Sequence, residues 1–145
     1  AAIHPGSTFI NVTRRPQDVA LSMFFHEFPA AFPESTLLES IAAMLEARSS
    51  IMRAYEKADF KVSEFNFDAF TNAPEKHGQT LGNLTGIAFE TRFLQPENRN
   101  AAVPTFSAGQ VRQPIQPAPR DKWKRFADFM PAAVKERLDA LAGAS

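Results

Sequence analysis

The stretch LLESIAAMLEARSSIMRAYEKA (37–58) decides the fold class. It is rich in residues that favour the helix. Leu37, Leu38, Ile41, Met44, Leu45, Ile51, Met52 and Tyr55 form one apolar stripe, with Glu39, Glu46, Ser50, Arg53 and Lys57 opposite. Thr36, followed three residues later by Glu39, matches a capping box, in which hydroxyl and carboxylate each satisfy a backbone donor. The pattern predicts a helix over 36–58. Arg48 interrupts the stripe between Met44 and Met52. A buried guanidinium without a partner is costly. Arg48 is therefore expected to reach water, or to pair with a carboxylate in this chain or a partner.

Upstream, FFHEFPAAFPESTLLES (24–40) holds four of the fourteen Phe within Phe24–Phe32. Pro16 suits a first helical position, where its missing N–H has no intrahelical partner anyway. Asp18 then falls in the first turn, where the helix dipole favours a negative charge. Leu21, Phe24, Phe25 and Phe28 share one helical face, and Pro29 stops the run. A first helix is expected over 16–28, forming a hairpin with 36–58. Phe32 is expected to close the corner on Leu37 or Leu38. Residues 1–15 read as an extended arm, with turn chemistry at His4-Pro5-Gly6 and a weak strand signal in Ile10 and Val12.

Downstream the signals mix. In 59–72, Phe65 and Phe67 alternate like a strand, while Val62, Phe65 and Phe70 suit a short helix. NAPEKHGQ (72–79) reads as a loop. After it, Ile87, Phe89, Thr91 and Phe93 alternate, yet Leu84, Ile87, Thr91 and Leu94 fit a helix. Residues 95–120 carry Pro96, Pro104, Pro114, Pro117 and Pro119, too many for a helix. Their spaced Val103, Phe106, Val111 and Ile115 suit an extended strap lying across a surface. Asp121 is placed to cap a closing amphipathic segment with Trp123, Phe126 and Met130 on its apolar side. Pro131 starts a second piece lined by Val134, Leu138 and Leu141, and Gly143 ends it. The expected organisation is an arm (1–15), a helical body with a short strand (16–94), the strap (95–120) and a C-terminal amphipathic helix (121–145). The fold class is mainly α.

Composition narrows the function. The chain has 145 residues, 44% of them apolar, with 16 basic and 16 acidic side chains. A neutral balance argues against a generic nucleic-acid binder, which needs excess cations. Residues 1–73 hold six Lys/Arg against nine Asp/Glu, and 74–145 hold ten against seven, a mild polarity that could orient the chain on a partner. Without Cys there is no disulfide, thiol catalysis or thiolate zinc site. No apolar run approaches the roughly 20 residues that span a bilayer. The start AAIHPGS, lacking Met, fits removal of a targeting segment or of the initiator alone; the first is the favoured expectation, with an intracellular, organellar and even mitochondrial setting. Asn11-Val12-Thr13 and Asn83-Leu84-Thr85 match the glycosylation acceptor and are read as coincidence.

Each candidate chemistry has a plainer counterpart. Asp18, Ser22 and His26 share a helix stripe with triad residue types, but nothing supplies an oxyanion hole, so a solvated face is expected. His26-Glu27 lacks the second His of the metalloprotease helix, and neither His4 nor His77 is close in sequence, so no metal site is expected. Gly82-Asn83-Leu84-Thr85-Gly86 has neither phosphate-loop nor dinucleotide spacing and reads as a turn entering the next element. No catalytic residue and no cofactor is expected. Arg120-Asp121-Lys122-Trp123-Lys124-Arg125-Phe126 is a basic aromatic cluster, suited first to packing its Trp on protein, next to an anionic lipid surface and last to stacking on nucleic acid.

The expected function is a non-catalytic accessory subunit of a larger assembly, docking on other protein subunits. The expected contact residues are Phe65, Phe67, Phe70, Phe106, Ile115, Trp123, Phe126 and Arg48. The alternatives are a peripheral binder of anionic lipid through 120–130, and a ligand-binding or enzymatic domain with a Phe-lined pocket near His26, Arg48 or His77.

Overall fold

The computed structural model describes residues 7–26, 37–58, 60–95, 113–117 and 121–143. The fold is mainly helical, as the sequence implies. In chain order the elements are β1 (Phe9–Thr13), α1 (Pro16–His26), α2 (Leu38–Lys57), β2 (Val62–Asn66), α3 (Phe67–Asn72), α4 (Pro74–Thr85), a 3-10 turn (Thr91–Leu94), a longer 3-10 helix (Lys122–Phe129) and α5 (Ala132–Gly143). β1 and β2 pair in a two-stranded sheet. The chain divides into two compact units, one of 9–64 with 119–145, the other of 1–8 with 65–118. In this division the C-terminal segment is built into the unit that holds α1 and α2.

The core of that first unit is Ala20 from α1, Ile41 and Ala42 from α2, and Met130, Val134 and Leu138 from the C-terminal segment. Met23, Phe24, Leu38, Leu45 and Leu141 pack against it. Ile41, Val134 and Leu138 are the largest fully buried side chains, each contributing about 1.5–3 kcal/mol by leaving water. The small Ala20 and Ala42 let three helices meet closely. The expected alignment of Val134, Leu138 and Leu141 is what the structure shows, and Gly143 is the last helical residue.

Several boundaries and faces differ from expectation. α2 starts at Leu38, with Leu37 extended at the N-cap and making no side-chain cap bond; Thr36 of the expected capping box lies outside the described residues. The buried residues of α1 are Gln17, Asp18, Ala20 and Leu21, whereas Phe25 is 55% exposed. The inner face is therefore rotated towards Gln17 and Asp18: Gln17 Nε2 donates to Asp139 Oδ1 at 2.6 Å, while among the described residues its buried Oε1 has no hydrogen-bond partner. Phe28, Pro29 and the Phe32 corner lie outside the described residues. So does most of the expected strap, including Phe106; of it, 113–117 forms neither helix nor strand.

A bidentate pair fastens α5 to α2. Arg137 Nε and Nη2 donate to the Glu46 carboxylate at 2.8 and 2.7 Å, and Nη1 reaches the Glu39 carbonyl at 3.4 Å. The Arg137 hydrogen bonds hold the Glu46 carboxyl below the usual glutamate range, and the same bonds raise Arg137 further. A carboxyl whose folded pKa is depressed stabilises the fold above its unfolded pKa, and loses that contribution as pH falls through the folded value. Stability measured by urea unfolding is therefore expected to fall on acidification below the ordinary glutamate range. Glu46→Gln should flatten that part of the pH profile while leaving the rest in place.

The ambiguous 59–72 segment, described from Phe60 onward, resolves as both elements in succession. The strand runs to Asn66, whose Oδ1 accepts the Ala69 N–H at 2.8 Å and so opens α3. The expected loop 72–79 is instead the first half of α4. Pro74 stands at its start, where no N–H is needed. Gly78 lies mid-helix because the Phe89 ring occupies the space of a side chain there. Gly82 is likewise helical: a Cβ there would stand 2.6 Å from the Ile87 carbonyl. Gly86, at φ 73°, ends the helix in the left-handed region. The 82–86 stretch is thus a helix exit rather than a turn leading into an element. Residues 87–90 form neither of the two expected elements, and a single 3-10 turn follows.

Candidate docking surfaces

Among the described residues of the first unit, two exposed apolar regions stand out, and each follows from how its element is covered. One lies at the end of α2. The apolar stripe is buried at Ile41 and packed at Leu38 and Leu45, but it continues to Ile51 and Tyr55, which are 49% and 44% exposed. Tyr55 meets Phe60 with ring centroids 5.5 Å apart, and Phe60 meets Phe9 edge-on at 6.1 Å. Arg48, in the same stripe, is exposed. Its Nη2 donates to the Val12 carbonyl at 2.8 Å and to Asn11 Oδ1, fastening β1 against α2. That use of a strand carbonyl is a partner the sequence reading did not consider.

The other region is the 3-10 helix Lys122–Phe129. It is anchored by a carboxylate. Buried Asp18 accepts the backbone N–H of Asp121 at 3.2 Å and of Trp123 at 3.3 Å, two donors that a helix start leaves open. Asp121 itself sits at φ 60°, a position unfavourable for a non-glycine residue, and makes no side-chain cap bond. Its carboxylate instead pairs with Arg15 and, at 3.3 Å, with Lys124. The expected cap at Asp121 is thus supplied by Asp18, and Asp18 does not lie on a solvated face.

With about three residues per turn, a 3-10 helix aligns every third side chain. Trp123, Phe126 and Phe129 therefore form one row. The expected apolar side of Trp123, Phe126 and Met130 used the wider α period; here Met130 follows the helix and is buried in the core. The row grades outward. Lys135 Nζ lies 5.8 Å from the Trp123 ring centre, Phe126 meets Phe25 at 5.1 Å, and Phe129 is 84% exposed. Lys122 and Arg125 are exposed on the neighbouring row.

The remaining candidates fall as follows. Phe65, Phe67 and Phe70 cluster in the second unit, with Phe65–Phe70 at 5.6 Å and Phe67–Phe70 at 6.4 Å. Phe65 is buried and Phe67 is exposed. Ile115 is half-buried. Ser22 and His26 are exposed, and His26 Nδ1 faces the Ser22 carbonyl at 2.7 Å, so the imidazole is not turned to the Ser22 hydroxyl. His77 is half-buried on α4. Among the described residues, no group of three His, Cys, Asp or Glu is placed to hold a metal ion. Among them, too, no helix is long and apolar enough to cross a membrane.

No family model matches the chain, and no solved structure does. The chain is similar to an uncharacterized protein of Aquifex aeolicus (strain VF5), with 25% identity over 135 residues. Those residues make up 90% of this chain but 18% of that protein, so the chain spans less than a fifth of its relative's length.

Proposed function

We propose that the chain is a non-catalytic docking module that works against another protein surface within a larger assembly. The observation that carries this reading is the stripe of α2, which runs on past the helices that cover it and ends in exposed Ile51 and Tyr55 beside Phe60 and Phe9. Folded monomers rarely leave such a contiguous apolar region uncovered, and aromatic side chains are enriched at the centres of interfaces. The relative supports a modular role, since its matching residues are a small part of a longer protein. The proline-rich stretch 95–120 belongs to the proposal by composition, as a second arm of contact.

Light scattering coupled to size exclusion tests this reading. The isolated chain is expected to self-associate as concentration rises, for want of the surface that covers α2. Ile51→Ser with Tyr55→Ser is expected to restore a monomer with unchanged far-UV circular dichroism. A chain that stays monomeric throughout the range, with or without the two substitutions, would overturn the proposal.

A further inference from the structure

We infer that the 3-10 helix Lys122–Phe129 is a contact site for an anionic lipid surface, separate from the end of α2. A docked protein of the kind proposed above needs a flat or concave apolar area. This site is instead a projecting tip: Phe129 stands 84% exposed at the outer end of the Trp123–Phe126–Phe129 row. Phe25, 55% exposed and set edge-on to Phe126, widens the apolar edge. Lys122 and Arg125 flank it on the neighbouring row, and Lys124 is exposed on the other side. An aromatic tip ringed by cations matches the membrane interface, where the ring enters the acyl boundary and the cations meet headgroup phosphates.

The charge balance sets limits that can be measured. Asp128 lies on the row of Lys122 and Arg125 and offsets part of their field. Asp121 is engaged by Arg15 and Lys124. Lys135 adds a further cation over the Trp123 ring. The anchor is rigid, because Asp18 fixes the start of the helix and buried Met130 fixes its end. The tip is therefore presented in the folded protein without an ordering step.

The test is flotation of the whole chain with vesicles of phosphatidylcholine and phosphatidylserine, and with vesicles of phosphatidylcholine alone; flotation separates bound chain from aggregate. The chain is expected to float with the anionic vesicles and to be released by salt. Phe129→Ser should weaken binding about tenfold. Lys122→Ala with Arg125→Ala should weaken it about thirtyfold, and Asp128→Asn should strengthen it several-fold. Ile51→Ser with Tyr55→Ser should leave it unchanged, which keeps this site apart from the protein-docking surface. Equal flotation with both vesicle types, no flotation, or insensitivity to Phe129→Ser would overturn the inference. So would binding of an acidic peptide, read by Trp123 fluorescence, in the absence of vesicle binding, which would assign the tip to a protein partner.

Discussion

Leu138→Ala is expected to destabilise the helical unit by about 3 kcal/mol, within the usual 2–5 kcal/mol for a buried Leu. Leu138 is fully buried on α5 among Ala20, Ile41, Ala42 and Val134. Truncation removes apolar area and leaves a cavity. Its neighbours have little freedom to fill it, since two of them are already alanines. A domain of this size holds only about 5–15 kcal/mol in total, so the loss is a large share. Urea unfolding followed by far-UV circular dichroism should show the midpoint lowered by roughly 1–2 M. Leu141→Ala, at a half-buried position, should cost less. A Leu138→Ala effect no larger than that of Leu141→Ala would mean that α5 does not close this core.

Asp18→Ala is the second large effect, at about 2–3 kcal/mol. The change removes an acceptor shared by two backbone donors 103 and 105 positions away in the chain. Those N–H groups would lose their partner in a place that water reaches poorly. The start of the 3-10 helix should loosen, although α1 and α2 keep their apolar contacts. The chain has a single Trp, and it sits in this helix, so its emission should shift red before the global transition. Asp18→Asn, which keeps one acceptor oxygen, should lie between wild type and Asp18→Ala. Coincident fluorescence and circular dichroism transitions in all three proteins would show that Asp18 does not hold this element separately.

Much of the architecture is legible from local pattern. The long run of helix formers at 37–58 gives α2 to within a residue or two, and Val134, Leu138 and Leu141 give the inner face of α5. What local pattern misses has definite physical causes. Pro74 and Gly78 carry loop signals in isolation, yet one opens a helix and the other makes room for the Phe89 ring, a contact set by tertiary packing. Gln17 and Asp18 face inward because their partners, Asp139 and the backbone near Trp123, come from the far end of the sequence. Hydropathy cannot express that. The row Trp123–Phe126–Phe129 was hidden by assuming the α period where the chain takes the 3-10 one. Arg48 is exposed, and the amide side chain and strand carbonyl that it also bonds are set by tertiary pairing, which local pattern does not carry. Of the named contact residues, Phe126 and Trp123 fall in one surface row, Phe65 turns inward and Phe106 lies outside the described residues.

The union of α1 and α2 with residues 121–143 also bears on the order of events during synthesis. The side-chain bonds that tie α5 into this core span 91 residues from Glu46 to Arg137 and 122 from Gln17 to Asp139. A ribosome adding roughly 5–20 residues per second needs several seconds to make that intervening chain. During those seconds Ala20, Ile41 and Ala42 have been made but α5 does not yet exist. The two helices are then ready clients for a holding chaperone until residues 121–143 emerge.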